Sequence, residues 1–451
     1  MTEMHWPQLL STKRFRLKDG EIAPVSRQPV QENADTLRTD FHIDHDRVVF
    51  SGAFRRLGRK TQVHPLAKHD HTHNRLTHSV EVASVGRSLG NRVGMMMKNQ
   101  GLLPPDNTPE DIGAVVQVAC LAHDLGNPPF GHTGEDALRD WFRQPRHAGF
   151  LATLSPSERS DIQTYEGNAH SLRILTNLEM YREQGGMRLT AASIGTLMKY
   201  PWGSSAPAGR QKFNIYQTEL PFVRHIAAEL GLRRQADDHW SRHPLSYLME
   251  AADDICYALL DLEDAVELGL LDIGEVCEIF SKPANNRHVR PPEMSERQYC
   301  AMLRSMAIGR AIEDAASTFA ANQQHLLNGT FPGKDLLSLC SPAVQDTLEQ
   351  AKGLARARIF RHQSKLITEI AAFPCLGLIL DLLIPSVHQL ITEGRVGARQ
   401  SLALELLKND NPATPQDTLY LAYMKVLDFV GGMTDNAAAQ MARELSGTGI
   451  I

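Results

Sequence analysis

From about residue 36 onward, apolar residues recur at intervals of three and four, the period of an amphipathic helix, and strand-like alternation is scarce. Leu76, Val80, Ala83 and Leu89 mark one such segment. Ile112, Val115, Val116, Ala119 and Ala122 mark a second, and Leu245, Leu248, Met249, Ala252, Ile255 and Leu259 a third. Breakers lie between the segments, at Gly101 to Pro109, Gly126 to Pro129 and Pro201 to Gly209. A helical period will not sit as a strand, so the expected fold is all-α. No fixed-period repeat interrupts it. Residues 1–35 are polar, carry Pro24 and Pro29, and read as an irregular N-terminal arm. Residues 271–451 read as a helical C-terminal subdomain, with the boundary near the prolines at 283, 291 and 292.

Charge is uneven along the chain. The formal total of -5 excludes a strongly basic nucleic-acid coat. Residues 51–100, however, carry nine Lys/Arg and two acids, a net +7, whereas residues 251–280 carry nine acids and no Lys or Arg, a net -9. A cationic segment suits a polyanionic ligand; a carboxylate-rich helix needs a cation, a basic neighbour or water.

Six scattered cysteines form no C-x-x-C pair, so neither a zinc knuckle nor a disulfide framework is expected. Buried thiols suit a reducing cytosol, and the N-terminus lacks a signal pattern, so a cytoplasmic protein is expected. The most apolar run, Ile370 to Val387, is interrupted by Pro374, Asp381 and Pro385; it reads as core, and no membrane association is expected. There is no P-loop and no G-x-G-x-x-G.

His123 and Asp124 adjoin at the end of an apolar helical segment, followed by a Gly-Asn-Pro-Pro turn. Imidazole nitrogen and carboxylate oxygen suit Mn, Fe, Co, Ni or Zn. Two donors do not make a site. His78 begins one of the periodic helices and Asp253 lies inside another, and either could complete the set. Taken singly, each is as well explained as a helix cap or a hydrogen-bonded core residue.

In order, His78, His123-Asp124 and Asp253 resemble the H…HD…D pattern of the HD-domain metal phosphohydrolases. The surrounding blocks are more specific. Phe54-Arg55-Arg56-Leu57, Lys60-Thr61-Gln62-Val63, Arg75-Leu76-Thr77-His78-Ser79, His123 through Glu135, Glu166-Gly167-Asn168-Ala169-His170 and Met249 through Tyr257 are similar to the bacterial dGTP triphosphohydrolase family. The likeness runs from about 36 to 270, an HD core of that span, and returns weakly at Asp428 through Asp435. It implies a helical HD fold, hydrolysis of a dNTP to nucleoside and triphosphate, and one divalent metal ion per subunit (Mn, Mg, Fe or Ni) held by His78, His123, Asp124 and Asp253. A ring-like homo-oligomer such as a hexamer, a dNTP effector and single-stranded DNA are further partners such a family brings into view.

Attack by water at the α-phosphorus would expel the 5′-oxygen, a poor leaving group that calls for a proton donor. His132 and Glu135 share one face if Gly131 onward is helical, and the resemblance gives them the catalytic roles. Asp253, Tyr257 and Asp261 step by about 40° and so lie within an arc of about 80° on one helix, spread over roughly 12 Å. The resemblance implies that Tyr257 stacks on sugar or base, that Asp261 accepts from the 3′-hydroxyl and that Gln62 reads the deoxyribose. It makes Arg75, Lys199 and Tyr200 phosphate contacts, with Asn127 and His170 also facing the phosphates. His69, His71 and His73 alternate as in a loop and read as structural. Two alternatives stay open: another HD nucleotidase or phosphodiesterase, and a module that senses nucleotide or single-stranded DNA.

Overall fold

The structure, a computed structural model, describes residues 3–18, 21–25, 38–62, 73–206, 212–284, 289–359, 363–408 and 411–448. It is all-α: the only strands among the described residues form two short antiparallel hairpins, Phe15–Lys18 with Glu21–Pro24 and Arg234–Ala236 with His239–Trp240. Two long helices, Arg75–Asn99 and Pro109–Ala122, pack along one another, and a third, Ser246–Glu267, lies across both. These are the three segments with the clearest apolar period. The starts of the first two are set by side chains. The Asn74 carboxamide accepts the N–H groups of Leu76 and Thr77, and Thr108 caps the second helix ahead of Pro109 at its first position. Val80 is the exception among the periodic residues and faces solvent.

The apolar interior divides into two clusters. One runs from Met4 to Ile359; the other joins residues 130–216 to residues 372–438. The two clusters interleave along the chain, since residues 130–216 contribute to both. The buried Arg173 links the second cluster's last helices to the first: its guanidinium takes Asp428 at 2.7 Å and Glu219 at 2.8 Å.

Two local expectations change. The N-terminal stretch is not irregular where it is described. Trp6–Leu9 is helical, the first hairpin follows, and Met4, Trp6, Leu9, Leu10 and Phe15 are buried. These few apolar residues anchor the segment one by one, so no period announces them. Nor do Pro374 and Pro385 break the apolar run: Gln363–Glu393 is one helix with both inside. A helix-interior proline costs about 3 kcal/mol. Against that, Ala372, Leu376, Ile379, Leu380, Leu383, Ile384 and Val387 are fully buried, and each large one contributes about 1.5–3 kcal/mol. The segment is core on one face only; Ile367, Ile370 and Phe373 on the other are exposed. By length and composition alone, Lys365–Glu393 could cross a membrane, the one such helix among the described residues.

Candidate metal centre

The second long helix ends at Ala122, so His123 and Asp124 sit where the backbone turns away. Gly126 makes this turn possible. A Cβ there would lie 2.1 Å from the Ser171 nitrogen, so the turn meets the neighbouring helix Gly167–Arg173 backbone to backbone. The Ser171 hydroxyl seals the contact, accepting the Gly126 N–H at 2.8 Å and donating to the His123 carbonyl at 2.9 Å.

His78, from the first turn of the Arg75 helix, meets His123 and Asp253 here. One donor atom from each of the three lies within 4.8 Å of the others. His78 Nε2 is 3.2 Å and His123 Nε2 is 3.5 Å from Asp253 Oδ1. The His123 ring is oriented from behind, since its Nδ1 donates to the Cys120 carbonyl at 2.6 Å. That bond fixes the tautomer and leaves Nε2 free to ligate. Burial disfavours charge on His123, but Asp124 and Asp253 outweigh it and raise the imidazole to about 9. Two imidazoles and a carboxylate, one ring already held by an outer hydrogen bond, fit a divalent transition metal. Among the described residues this is the one such cluster.

Asp124 stands at its edge. Its Oδ1 is 3.5 Å from His123 Nε2 and accepts from the Asn127 carboxamide, while Oδ2 takes Arg75 Nη1 at 2.7 Å. Burial opposes ionisation of Asp124; Arg75 first, then His123 and His78, overcome it and hold the carboxyl at about 2. Arg75 and Asn127 thus both engage a metal-ligand candidate directly.

The Gly131–Arg143 helix carries His132 and Glu135 on one face, His132 Nδ1 lying 3.3 Å from Glu135 Oε2. Their settings are opposite. The His132 side chain is 77% exposed, whereas Glu135 is buried, accepting the Gly167 N–H at 2.7 Å and facing Arg139 at 3.3 Å. Burial would raise Glu135, but the His132 hydrogen bond and the Arg139 guanidinium outweigh it and keep the carboxyl below its ordinary range. An exposed imidazole on a buried, ionised carboxylate is a proton-transfer pair with a fixed base and a free tip.

On the Ser246–Glu267 helix the 80° arc is realised. Burial, then the Asp261 and Asp253 carboxylates, push the Tyr257 hydroxyl above its usual range, as expected of neighbours on one face. Asp261 is 4% exposed, and its Oδ2 has no hydrogen-bond partner among the described residues. The Gln62 carboxamide oxygen is likewise buried and unpartnered. Lys199 Nζ lies 3.3 Å from Glu250 and 5.7 Å from the centre of the Tyr200 ring. Burial opposes its charge, but Glu250, with help from Tyr200 and Asp253, raises the ammonium. Asp254 turns away to Lys352.

His170 is not among the three clustered donors. Its ring is fully buried, 5.2 Å from Tyr165, with neither nitrogen hydrogen-bonded, and it lines a cavity of about 330 Å³ with Arg56, Asp428, Phe429 and Met433. His73 is structural as expected: its ring joins Asp264 at 2.5 Å and Glu81 at 3.0 Å, tying the first long helix to the third. His64, His69 and His71 lie outside the described residues. Lys60 and Asp435 lie inside the family-like blocks and had no assigned role. The buried Lys60 ammonium donates to the Asn127 carbonyl at 2.5 Å and to that of Gly431 at 2.7 Å.

The state of Asp261 is testable through stability. Burial first, then the nearby Asp264, push its carboxyl up to about 8, against roughly 3.9 in an unfolded chain. A folded value above the unfolded one means the native state binds this proton more tightly. The stability it contributes is fully present below about pH 4 and is lost as pH rises through about 8. Urea unfolding of the metal-free protein should therefore show wild type weakening between pH 5 and 9 relative to Asp261→Asn. Parallel profiles for the two would refute this reading of the group.

An HD-domain family model matches residues 75–192, which hold His78, His123, Asp124, His132 and Glu135; Asp253 lies beyond it. The chain is 44% identical to a deoxyguanosinetriphosphate triphosphohydrolase-like protein of Pseudomonas aeruginosa, over 98% of this chain and 99% of the relative. It is 35% identical to a like-named protein of Synechocystis, over 98% and 99%. It is 30% identical to a deoxyguanosinetriphosphate triphosphohydrolase of Serratia proteamaculans, over 96% and 98%.

Proposed function

The chain belongs to the family of HD-domain deoxyguanosinetriphosphate triphosphohydrolases and their like-named relatives, and from that premise we propose that it hydrolyses a dNTP to deoxynucleoside and inorganic triphosphate. The observation that carries the reading is that Arg75 links a metal cluster to a proton-transfer pair: it holds Asp124 at the edge of the His78–His123–Asp253 cluster, and its Nη2 lies 2.6 Å from where a Cβ on Gly131, the residue before His132, would stand.

His78, His123 and Asp253, with Asp124 at the edge, would hold the divalent ion. When bound, such an ion polarises a phosphoryl oxygen and acidifies coordinated water. The chain's own residues account for the rest. Lys199 and Arg75 supply cationic donors toward the triphosphate, Arg75 while also orienting Asp124. Tyr200 shares the phosphate side with Lys199. The Asp261 and Gln62 oxygens, buried and unpartnered, suit a sugar 3′-hydroxyl, and Tyr257 between the ligand and Asp261 offers a ring face to the nucleoside. A site closed around C2′ would reject ribose by leaving its extra hydroxyl unpaired. Water attacks the α-phosphorus; the bond to the 5′-oxygen breaks; His132, held by Glu135, delivers the proton to that oxygen.

Self-association belongs to the same reading, supported by Ile367, Ile370 and Phe373 on the outer face of the Gln363–Glu393 helix. The deciding experiment is product analysis on a panel of dNTPs and NTPs with Mn or Mg. Inorganic triphosphate from dNTPs is the expected product. Monophosphate or pyrophosphate would instead indicate a different HD phosphohydrolase, and tight, salt-sensitive DNA binding without turnover a sensing module.

A further inference from the structure

Asp435 opens the helix Asp435–Leu445, buried at 2% exposure, with both carboxylate oxygens engaged. Oδ2 accepts the Thr61 N–H at 3.0 Å, and Oδ1 accepts the Phe130 N–H at 2.9 Å. Each donor adjoins a side chain of the site. Gln62 directly follows Thr61, and His132 is two residues past Phe130.

Phe130 is held at φ 65°, in the left-handed region, just ahead of the His132 helix. For a residue with a side chain that conformation costs about 1–2 kcal/mol. Such backbone persists only where its surroundings over-determine it. A charged acceptor on the strained residue's own amide is one such determinant. Gly131, next in line at φ 58°, continues the turn without that cost. Lys60 supplies a parallel tie, from the Asn127 carbonyl on one side to Gly431 on the other. The segment 431–435 therefore grips both the backbone before Gln62 and the backbone before His132.

The geometry points to Asp435 as a positioning residue: it fixes the spacing between Gln62 and the His132–Glu135 pair, and so between the sugar and the departing 5′-oxygen. This rests on the triphosphohydrolase reading of the site. The role requires a carboxylate specifically, because two N–H donors converge on it. An amide of the same shape offers one acceptor and one donor, so Asp435→Asn sets an N–H against an N–H. Alanine instead removes both acceptors from a buried position.

The test uses full-length, metal-loaded Asp435→Ala and Asp435→Asn, assayed for triphosphate release from a dNTP and its ribose counterpart, with metal content and thermal unfolding alongside. The expected result is a kcat at least about tenfold lower in both, within the range that small misplacements produce. Asn should be no better than Ala, the preference for deoxyribose should narrow, and metal content should match wild type. Wild-type kcat and sugar preference in Asp435→Ala would overturn the proposal. So would full recovery by Asn, or a loss of activity that merely tracks loss of metal or of folded protein. Wild type releasing no triphosphate from any dNTP would sink the underlying reading instead, whatever the variants do.

Discussion

Asp253→Ala is expected to lose the metal and, with it, measurable triphosphate release. Asp253 contributes the anionic donor on which both imidazoles converge, at 3.2 Å from His78 and 3.5 Å from His123. Removing it leaves a buried His78 facing the half-buried His123 at a ring separation of 5.6 Å, with Asp124 displaced to one side and already paired to Arg75. Outer-shell changes at metal sites typically cost about 10–100-fold in affinity, so loss of a ligand should exceed about 100-fold. Metal analysis of the purified variant, together with Mn titration calorimetry, checks this. Stoichiometric metal and retained turnover in Asp253→Ala would remove the cluster from the mechanism. Cys120, by contrast, orients His123 through its carbonyl, so Cys120→Ser should keep the metal.

His132→Ala should behave in the opposite way: metal kept, chemistry lost. General acid catalysis is worth about 10²–10⁴-fold, and kcat should fall by that range with little change in KM, because the proton moves only in the transition state. The side chain is 77% exposed, so the fold should hardly notice; unfolding free energy should stay within about 0.5 kcal/mol of wild type. Glu135→Gln differs in an informative manner. It too should lower kcat, since the amide no longer stabilises an imidazolium. It should also cost stability, because Gly167 and Arg139 both depend on that buried carboxylate. Full activity in His132→Ala would leave the pair without a catalytic role.

How much of this could be read from the sequence differs residue by residue. The three long helices follow from apolar period, and Asn74 and Thr108 stand as caps at the starts of the first two, because helix geometry and capping are local. The meeting of His78, His123 and Asp253 needed the family resemblance, since spacing along the chain does not say which helices pack. The placement of His170 shows the limit. It lies in a family-like block, and nothing in the residue order announces that its ring lines a cavity beside Asp428. The two prolines at 374 and 385 are a related case: local propensity disfavours helix there, and burial of the helix's inner face offsets it. Lys60 and Asp435 could not be assigned roles because their partners are backbone atoms, and a backbone N–H or carbonyl has no signature in the residue code.

The grip of residues 431–435 on the site also has a consequence for timing. Asp435 meets Phe130 across 305 positions of sequence. At about 5–20 residues per second, a ribosome takes roughly 15–60 s to make that interval. For the last 182 residues of it, from Asp253 to Asp435, a nascent chain carries every candidate metal ligand without the clamp that aligns Gln62 and His132. On the proposed reading, the alignment of sugar and proton donor would wait on the synthesis of one late helix.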